Sequence, residues 1–173
     1  MMMRMLEAGG VPPLTDHLRE ADDDNPGGYY EFERAKELKT DVSWLPEARG
    51  RAVKIISALL EHLPADVRCK VVFMRRNMEE VLASQRRMLE RRNQPTDRSS
   101  DERMSQLFEK HLDQIDRKIA DHPGLEVIYV SYNDILEDPA PQVSKINEFF
   151  DGRLDEMAMC AIVDPTLYRQ QNS

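Results

Sequence analysis

The sequence has 173 residues, 40% of them hydrophobic and 32% charged, with a net charge of −8 at pH 7. This balance suits one globular domain with a real core; it excludes a disordered chain, and it excludes broad nucleic-acid binding, which needs an excess of Lys and Arg. The two cysteines, Cys69 and Cys160, lie far apart, which excludes a disulfide scaffold or a paired-cysteine metal site and points to a reducing cytoplasm.

Met2, Met3, Met5 and Leu6 fall at helical spacing, and Gly9-Gly10 stops the helix. The apolar stretch is too short for a signal peptide and Glu7 interrupts it; no run further on is long enough to span a membrane. This first helix has no N-cap, so the sequence reads as beginning in mid-element. A short helix over 15–20, with Thr15-Asp16 as its cap, and an acidic, turn-rich loop over 22–28 come next. A helix over 31–38 places Phe32, Ala35 and Leu38 on one side.

Residues 52–56 are predicted as a short strand and 59–63 as a brief helix closed by Pro64. Residues 67–74 make the strongest strand, with an apolar end suited to burial on both faces. Asn77 opens a long helix to about 92, striped by Val81, Leu82, Gln85, Met88 and Leu89. Ser99 and Glu102 form a capping box for an amphipathic helix carrying Met104, Leu107, Phe108, His111, Leu112, Ile115 and Ile119. On that apolar stripe His111 reads as a core histidine, and His17 and His62 have no partner pattern. A third strand over 125–130 and a helix capped by Asp138, with Pro139 in its first turn, complete the pattern before an irregular tail over 164–169. Strands alternating with helices predict a single α/β domain over 1–173 with a mostly parallel sheet. No zinc or calcium motif is present.

In such a sheet ligands bind beyond the carboxyl ends of the strands. The turn after Phe73-Met74 carries Arg75-Arg76-Asn77, and Ser84 lies about two turns into the following helix, roughly 10 Å along its axis. A guanidinium fork beside a helix N-terminus, with its free N–H groups and dipole, suits an anion. The alternative, solvated arginines and an exposed helix serine, stays open on the residues alone.

The segment Arg76-Asn77-Met78-Glu79-Glu80-Val81-Leu82-Ala83-Ser84 resembles the sulfotransferase pattern Arg-Asn-Pro-x-Asp-Val-x-x-Ser, with Met78 in place of Pro and Glu80 in place of Asp. The resemblance implies that Arg76 and Ser84 hold the 3′-phosphate of the donor 3′-phosphoadenylyl sulfate (PAPS), leaving 3′-phosphoadenosine 5′-phosphate (PAP) as product, with no metal. The stretch Tyr132-Asn133-Asp134-Ile135-Leu136-Glu137-Asp138-Pro139 is similar to the family's Tyr-Glu-Asp-Leu…Asp-Pro segment; it implies a place for Tyr132 near the adenine, with Asn133 departing from Glu. Arg169 is the candidate for the basic segment that closes over the 3′-phosphate. Lys54 matches the lysine of the Lys-Thr-His run found in many relatives, but Ile56 stands where the histidine base would be. Other branches use a glutamate, which makes Glu31 and Glu33 the candidate bases, provided burial raises the carboxyl pKa.

The resemblance implies a three-layer, helix-rich, P-loop-like fold. The strand and phosphosulfate-binding loop that should precede the first helix are absent from the sequence, so a truncated chain with weak or no transfer and with exposed sheet edges is expected. The implied partner is a small-molecule or carbohydrate acceptor, and no nucleic acid. A P-loop kinase fragment and a non-catalytic nucleotide-binding scaffold are the rival readings; preference for PAP over ATP without magnesium separates the first rival.

Overall fold

Two parallel strands stand at the centre of the chain. The computed structural model describes residues 1–16, 18, 28–91 and 99–164, apart from the side chains of 84, 85, 87–91 and 99–102. The order is α1 (Met2–Ala8), α2 (Glu33–Lys36), two 3₁₀ segments (Leu45–Ala48 and Ser57–His62), β1 (Cys69–Arg75), α3 (Met78–Arg91), α4 (Ser99–Asp121), β2 (Leu125–Ser131), α5 (Tyr132–Glu137), α6 (Pro139–Phe149) and α7 (Glu156–Ala161). β1 and β2 pair in parallel from Cys69 opposite Leu125 to Arg75 opposite Ser131. A parallel pair needs a crossover, and α3 and α4 supply it.

Alternation along the strands makes three layers. Cys69, Val71, Phe73, Leu125, Val127 and Tyr129 face one cluster, built on Trp44, Leu38, Phe32 and, from α4, Ile115 and Ile119. Val72, Met74, Ile128 and Val130 face the other, built on Met5 of α1, Ile135 of α5, Val143 and Ile146 of α6 and Met159 of α7. Both faces of the sheet are therefore covered, the usual state of parallel strands and the reason β1 reads as an almost unbroken apolar run. This is the mixed, helix-rich α/β architecture expected of a P-loop-like fold.

Several boundaries differ from the sequence reading. Residues 52–56 form no strand: Ala52 makes one isolated parallel bridge to Pro13, through Ala52 N–H to Pro12 O (2.9 Å) and Leu14 N–H to Ala52 O (2.8 Å). The opposing backbone contains Pro12 and Pro13, which have no N–H to extend a ladder. The helix expected over 31–38 is shorter, Glu33–Lys36, and continues as turns. The brief helix after residue 56 is a 3₁₀ segment, Ser57–His62. Asp138 caps α6 as expected, its carboxylate accepting from Ala140 N–H at 3.2 Å. The expected helix over 15–20, most of the acidic loop, the capping pair Ser99 and Glu102 and the tail with Arg169 lie wholly or largely outside the described residues. Among the described residues no helix is long and apolar enough to cross a membrane.

Gly124 joins α4 to β2 where space is shortest. Its carbonyl accepts from Cys69 N–H at 3.0 Å, and a Cβ added there would run into the Val67 carbonyl oxygen. Gly124→Ala must push the start of β2 away from the segment entering β1. A destabilisation of about 1–3 kcal/mol is expected, the usual range for overpacking, read from the urea midpoint at unchanged m-value. A midpoint equal to the parent's would show that the turn absorbs a methyl group freely.

Candidate functional site

The register of the sheet brings the two motif segments together. Arg75 and Ser131 are the last paired residues, so the next residue on each chain, Arg76 and Tyr132, leaves the sheet at the same level. Ser131 caps α5: its hydroxyl oxygen accepts from Asp134 N–H at 3.2 Å and its hydroxyl donates to the Asp134 carboxylate at 2.8 Å. That cap places Tyr132 and Asn133 in the first turn of α5. The Arg76 guanidinium then lies over the Tyr132 ring, 4.8 Å from its centroid, at the range of a cation–π contact.

Glu80 holds the group together. It is only 4% exposed. Its Oε2 accepts from Arg76 Nε at 2.9 Å, and its Oε1 accepts from Asn133 Nδ2 at 2.7 Å. Asn133 completes the bridge, its Oδ1 accepting from Asn77 N–H at 3.3 Å. One carboxylate thus ties the β1–α3 turn to the β2–α5 turn. Burial of a charge is tolerated when an opposite charge and further hydrogen bonds satisfy it, as here.

The consequence for Arg76 is geometric. Nε is consumed by Glu80, and the ring of Tyr132 covers one face of the guanidinium. Its two terminal nitrogens make no hydrogen bond to any described residue, and the side chain is 26% exposed. The outer edge of a fixed, planar donor is therefore presented at the carboxyl end of the sheet. The start of α3 adds less than expected: Asn77 Oδ1 accepts from Glu79 N–H at 2.9 Å, so the helix is capped by its own residue there. Ser84 lies on α3, but its side chain falls outside the described residues.

A second group is built on other segments. Lys54 Nζ donates to the Tyr29 carbonyl at 3.1 Å and lies 3.8 Å from Glu31 Oε1. Lys36 pairs with Glu31 Oε2 at 3.1 Å and with Glu33 at 2.5 Å. Glu31 is the more covered of the two candidate carboxylates, its side chain 20% exposed against 51% for Glu33. Lys54 and Arg4 also face the Met1 α-amino group, whose pKa is held below its ordinary value by burial first and by these two cations next. Arg169 lies outside the described residues. Among the described residues no cluster of three or more His, Cys, Asp or Glu is placed to hold a metal ion.

Sequence reasoning missed Glu80 and Asn133 as members of this group. Glu80 stood only as a substitute for the pattern's Asp, and Asn133 only as a departure. The signal available was their spacing: Glu80 in the first turn of α3, four residues after Arg76 in the turn before it, and a polar side chain in the first turn of the neighbouring strand's helix.

Residues 18–156 match the model of the sulfotransferase family. The chain belongs to that family. The match takes in the turn with Arg76, the Tyr132 segment, Lys54, Glu31 and Glu33, and it ends before Arg169. No curated protein and no solved structure matches the chain. Sulfotransferase-type function in general follows from the family match.

Proposed function

We propose that the chain seats the 3′-phosphate of PAPS at the ends of β1 and β2, and that the reaction served is in-line transfer of a sulfonate to a hydroxyl or amine of a small-molecule or carbohydrate acceptor in the cytoplasm. The observation that carries this reading is the Arg76 guanidinium, held through Nε by Glu80 at 2.9 Å and lying over Tyr132 at 4.8 Å, with no hydrogen bond from its terminal nitrogens to any described residue. A fork fixed on one side and open on the other suits bidentate capture of a phosphate. Its position beyond the carboxyl ends of parallel strands is where this sheet type takes its ligands.

In this reading Ser84 adds a hydroxyl to the same phosphate and Tyr132 lends its ring to the adenine side. Arg169 closes over the anion. Lys54 neutralises charge developing on the leaving phosphate, an effect that counts because it is arranged in advance. Glu31 or Glu33 takes the acceptor's proton; Glu31, between Lys36 and Lys54, is the better placed to be held in one orientation.

The test is a calorimetric titration of the full chain with PAP and, separately, with magnesium ATP. PAP is expected to bind and ATP to bind far more weakly. Arg76→Ala is expected to lower PAP affinity about 10–100-fold, the loss of charge-assisted hydrogen bonds worth about 1.5–3 kcal/mol, and Ser84→Ala by less. Unchanged affinity in both variants would remove the assigned phosphate site.

A further inference from the structure

His111, on the inward face of α4, has a hydroxyl partner. Its Nε2 lies 3.0 Å from Ser57 Oγ, in a partly buried contact between α4 and the 3₁₀ segment that follows residues 52–56. Neither residue has a role in the donor site described above, and a serine hydroxyl on an imidazole nitrogen is an arrangement able to move a proton.

The order of contacts along α4 locates this pair. Gly124, just past the end of α4, meets Cys69 at the start of β1, while Asp116 accepts from Arg75 Nη2 at 2.5 Å at the end of β1. α4 therefore runs opposite to β1. His111 precedes Asp116 by five residues, about 7.5 Å of helix axis, and so lies beyond the carboxyl end of the strand. It shares a helix face with buried Ile115 and Ile119, which turns it towards the body of the domain. On the other side, Ser57, Glu61 and Leu63 meet His111, Lys118 and His122 in that order, so Ser57 stands at the same end. Asp116 also accepts from the Tyr129 hydroxyl at 2.8 Å, and Arg75 lies over the Tyr129 ring at 4.3 Å. These contacts fix α4 against the strand that delivers Arg76.

We infer that Ser57 and His111 form a proton relay for a hydroxyl-bearing acceptor, an inference that rests on the donor site proposed above. As the acceptor oxygen bonds to sulfur, the bond between sulfur and the donor's 5′-phosphate oxygen breaks and its electron pair stays on that oxygen. The acceptor's proton passes to Ser57 Oγ, and the serine's own proton passes to His111 Nε2. Ser57 ends neutral and His111 ends as imidazolium. The relay uses the tautomer protonated on Nδ1. For an alcohol acceptor it puts this pair in the place given above to Glu31 or Glu33, and it makes an alcohol, which must lose a proton to react, the substrate class that depends on it.

The experiment uses the full chain and the variants Ser57→Ala and His111→Gln. Its first arm is calorimetric binding of PAP. Its second is sulfonate transfer from PAPS to benzyl alcohol and to 4-nitrophenol at about pH 8.5, where the phenol is already ionised and needs no base. Both variants are expected to keep PAP affinity within about twofold and transfer to 4-nitrophenolate within about threefold, and to lose about 10²–10⁴ in kcat with benzyl alcohol. Equal loss with both acceptors, loss with neither, or no transfer by a parent chain that binds PAP would overturn the relay and leave the donor site standing. Failure of the parent chain to bind PAP would overturn the donor site, and the relay with it.

Discussion

Glu80→Ala should lose stability and ligand binding together. The carboxylate is almost fully buried and accepts from two donors on two different turns, Arg76 Nε and Asn133 Nδ2. Removing one partner of a buried charged pair leaves the other unsatisfied, and Arg76 is only partly able to turn to water. A loss of about 2–4 kcal/mol is expected in urea denaturation. The same change frees the guanidinium to sample other rotamers, so PAP affinity should fall about as far as in Arg76→Ala, although Glu80 itself touches no phosphate. Glu80→Gln distinguishes the two effects. It keeps the volume but presents an N–H₂ to one of the two donors, so it should retain more stability than the alanine variant while still misplacing Arg76. Coupling is read from the double variant Arg76→Ala/Glu80→Ala: if Glu80 acts on the ligand through Arg76, the second substitution adds little to the loss of PAP affinity. Fully additive losses, or stability within about 0.5 kcal/mol of the parent for Glu80→Ala, would show that the carboxylate does not anchor the site.

The same cluster shows what one chain of residues discloses and what it withholds. β1 and β2 were legible because strands covered on both faces must be apolar at nearly every position, and no helix of that length looks the same when flanked by turns. α4 and α6 were legible from a 3.6-residue stripe and, for α6, from Asp138 with Pro139 at its start. Residues 52–56 have the same strand-like composition, yet a strand needs a partner with donors, and the partner here is Pro12-Pro13. That condition belongs to a segment some forty positions away and leaves no mark on residues 52–56 themselves. α5 and α7 are six residues each, too short for a helical stripe to show; only their caps, Ser131 bonding Asp134 and Asp155 bonding Ala158 N–H at 2.9 Å, announce them. For the site, the pattern around Arg76 placed the guanidinium at a strand exit, and parallel pairing then required Tyr132 to stand beside it. The bridge through Glu80 and Asn133 depends on register, Arg75 opposite Ser131, which no local pattern encodes. His111 stands on the inward face of α4 as its stripe indicates, but its partner, the Ser57 hydroxyl at 3.0 Å, lies on a distant segment that a stripe does not name.

Trp44→Ala is expected to be the most damaging single substitution in the cluster beneath the other face of the sheet. Trp44 is the only tryptophan of the chain and is 0% exposed. Its ring meets Phe32 edge-on at a centroid distance of 5.4 Å, and its indole N–H donates to the Asp41 carbonyl at 3.0 Å. Truncation removes the largest buried side chain of the domain, opens a cavity and orphans that carbonyl. Losses of about 3–5 kcal/mol are usual for such a change, a large share of the roughly 5–15 kcal/mol that holds an ordinary domain. For a chain of this size the melting temperature should fall by roughly 10 °C, followed by circular dichroism because the variant has no tryptophan fluorescence. Trp44→Phe keeps most of the volume and drops the hydrogen bond, and should lose only about 1–2 kcal/mol. The segment that Trp44 secures also carries Phe32, and with it Glu31 and the Tyr29 carbonyl that receives Lys54. Arg76, Glu80 and Tyr132 are tied instead through the strand ends. Below its melting temperature Trp44→Ala should therefore keep PAP affinity close to the parent's while lowering whatever sulfonate transfer the parent shows, because Lys54 loses its seat on the Tyr29 carbonyl before Arg76 loses Glu80. Parallel loss of both would mean that the donor site and the Lys54 segment unfold as one unit, and a melting temperature within about 2 °C of the parent's would remove Trp44 from the core's main supports.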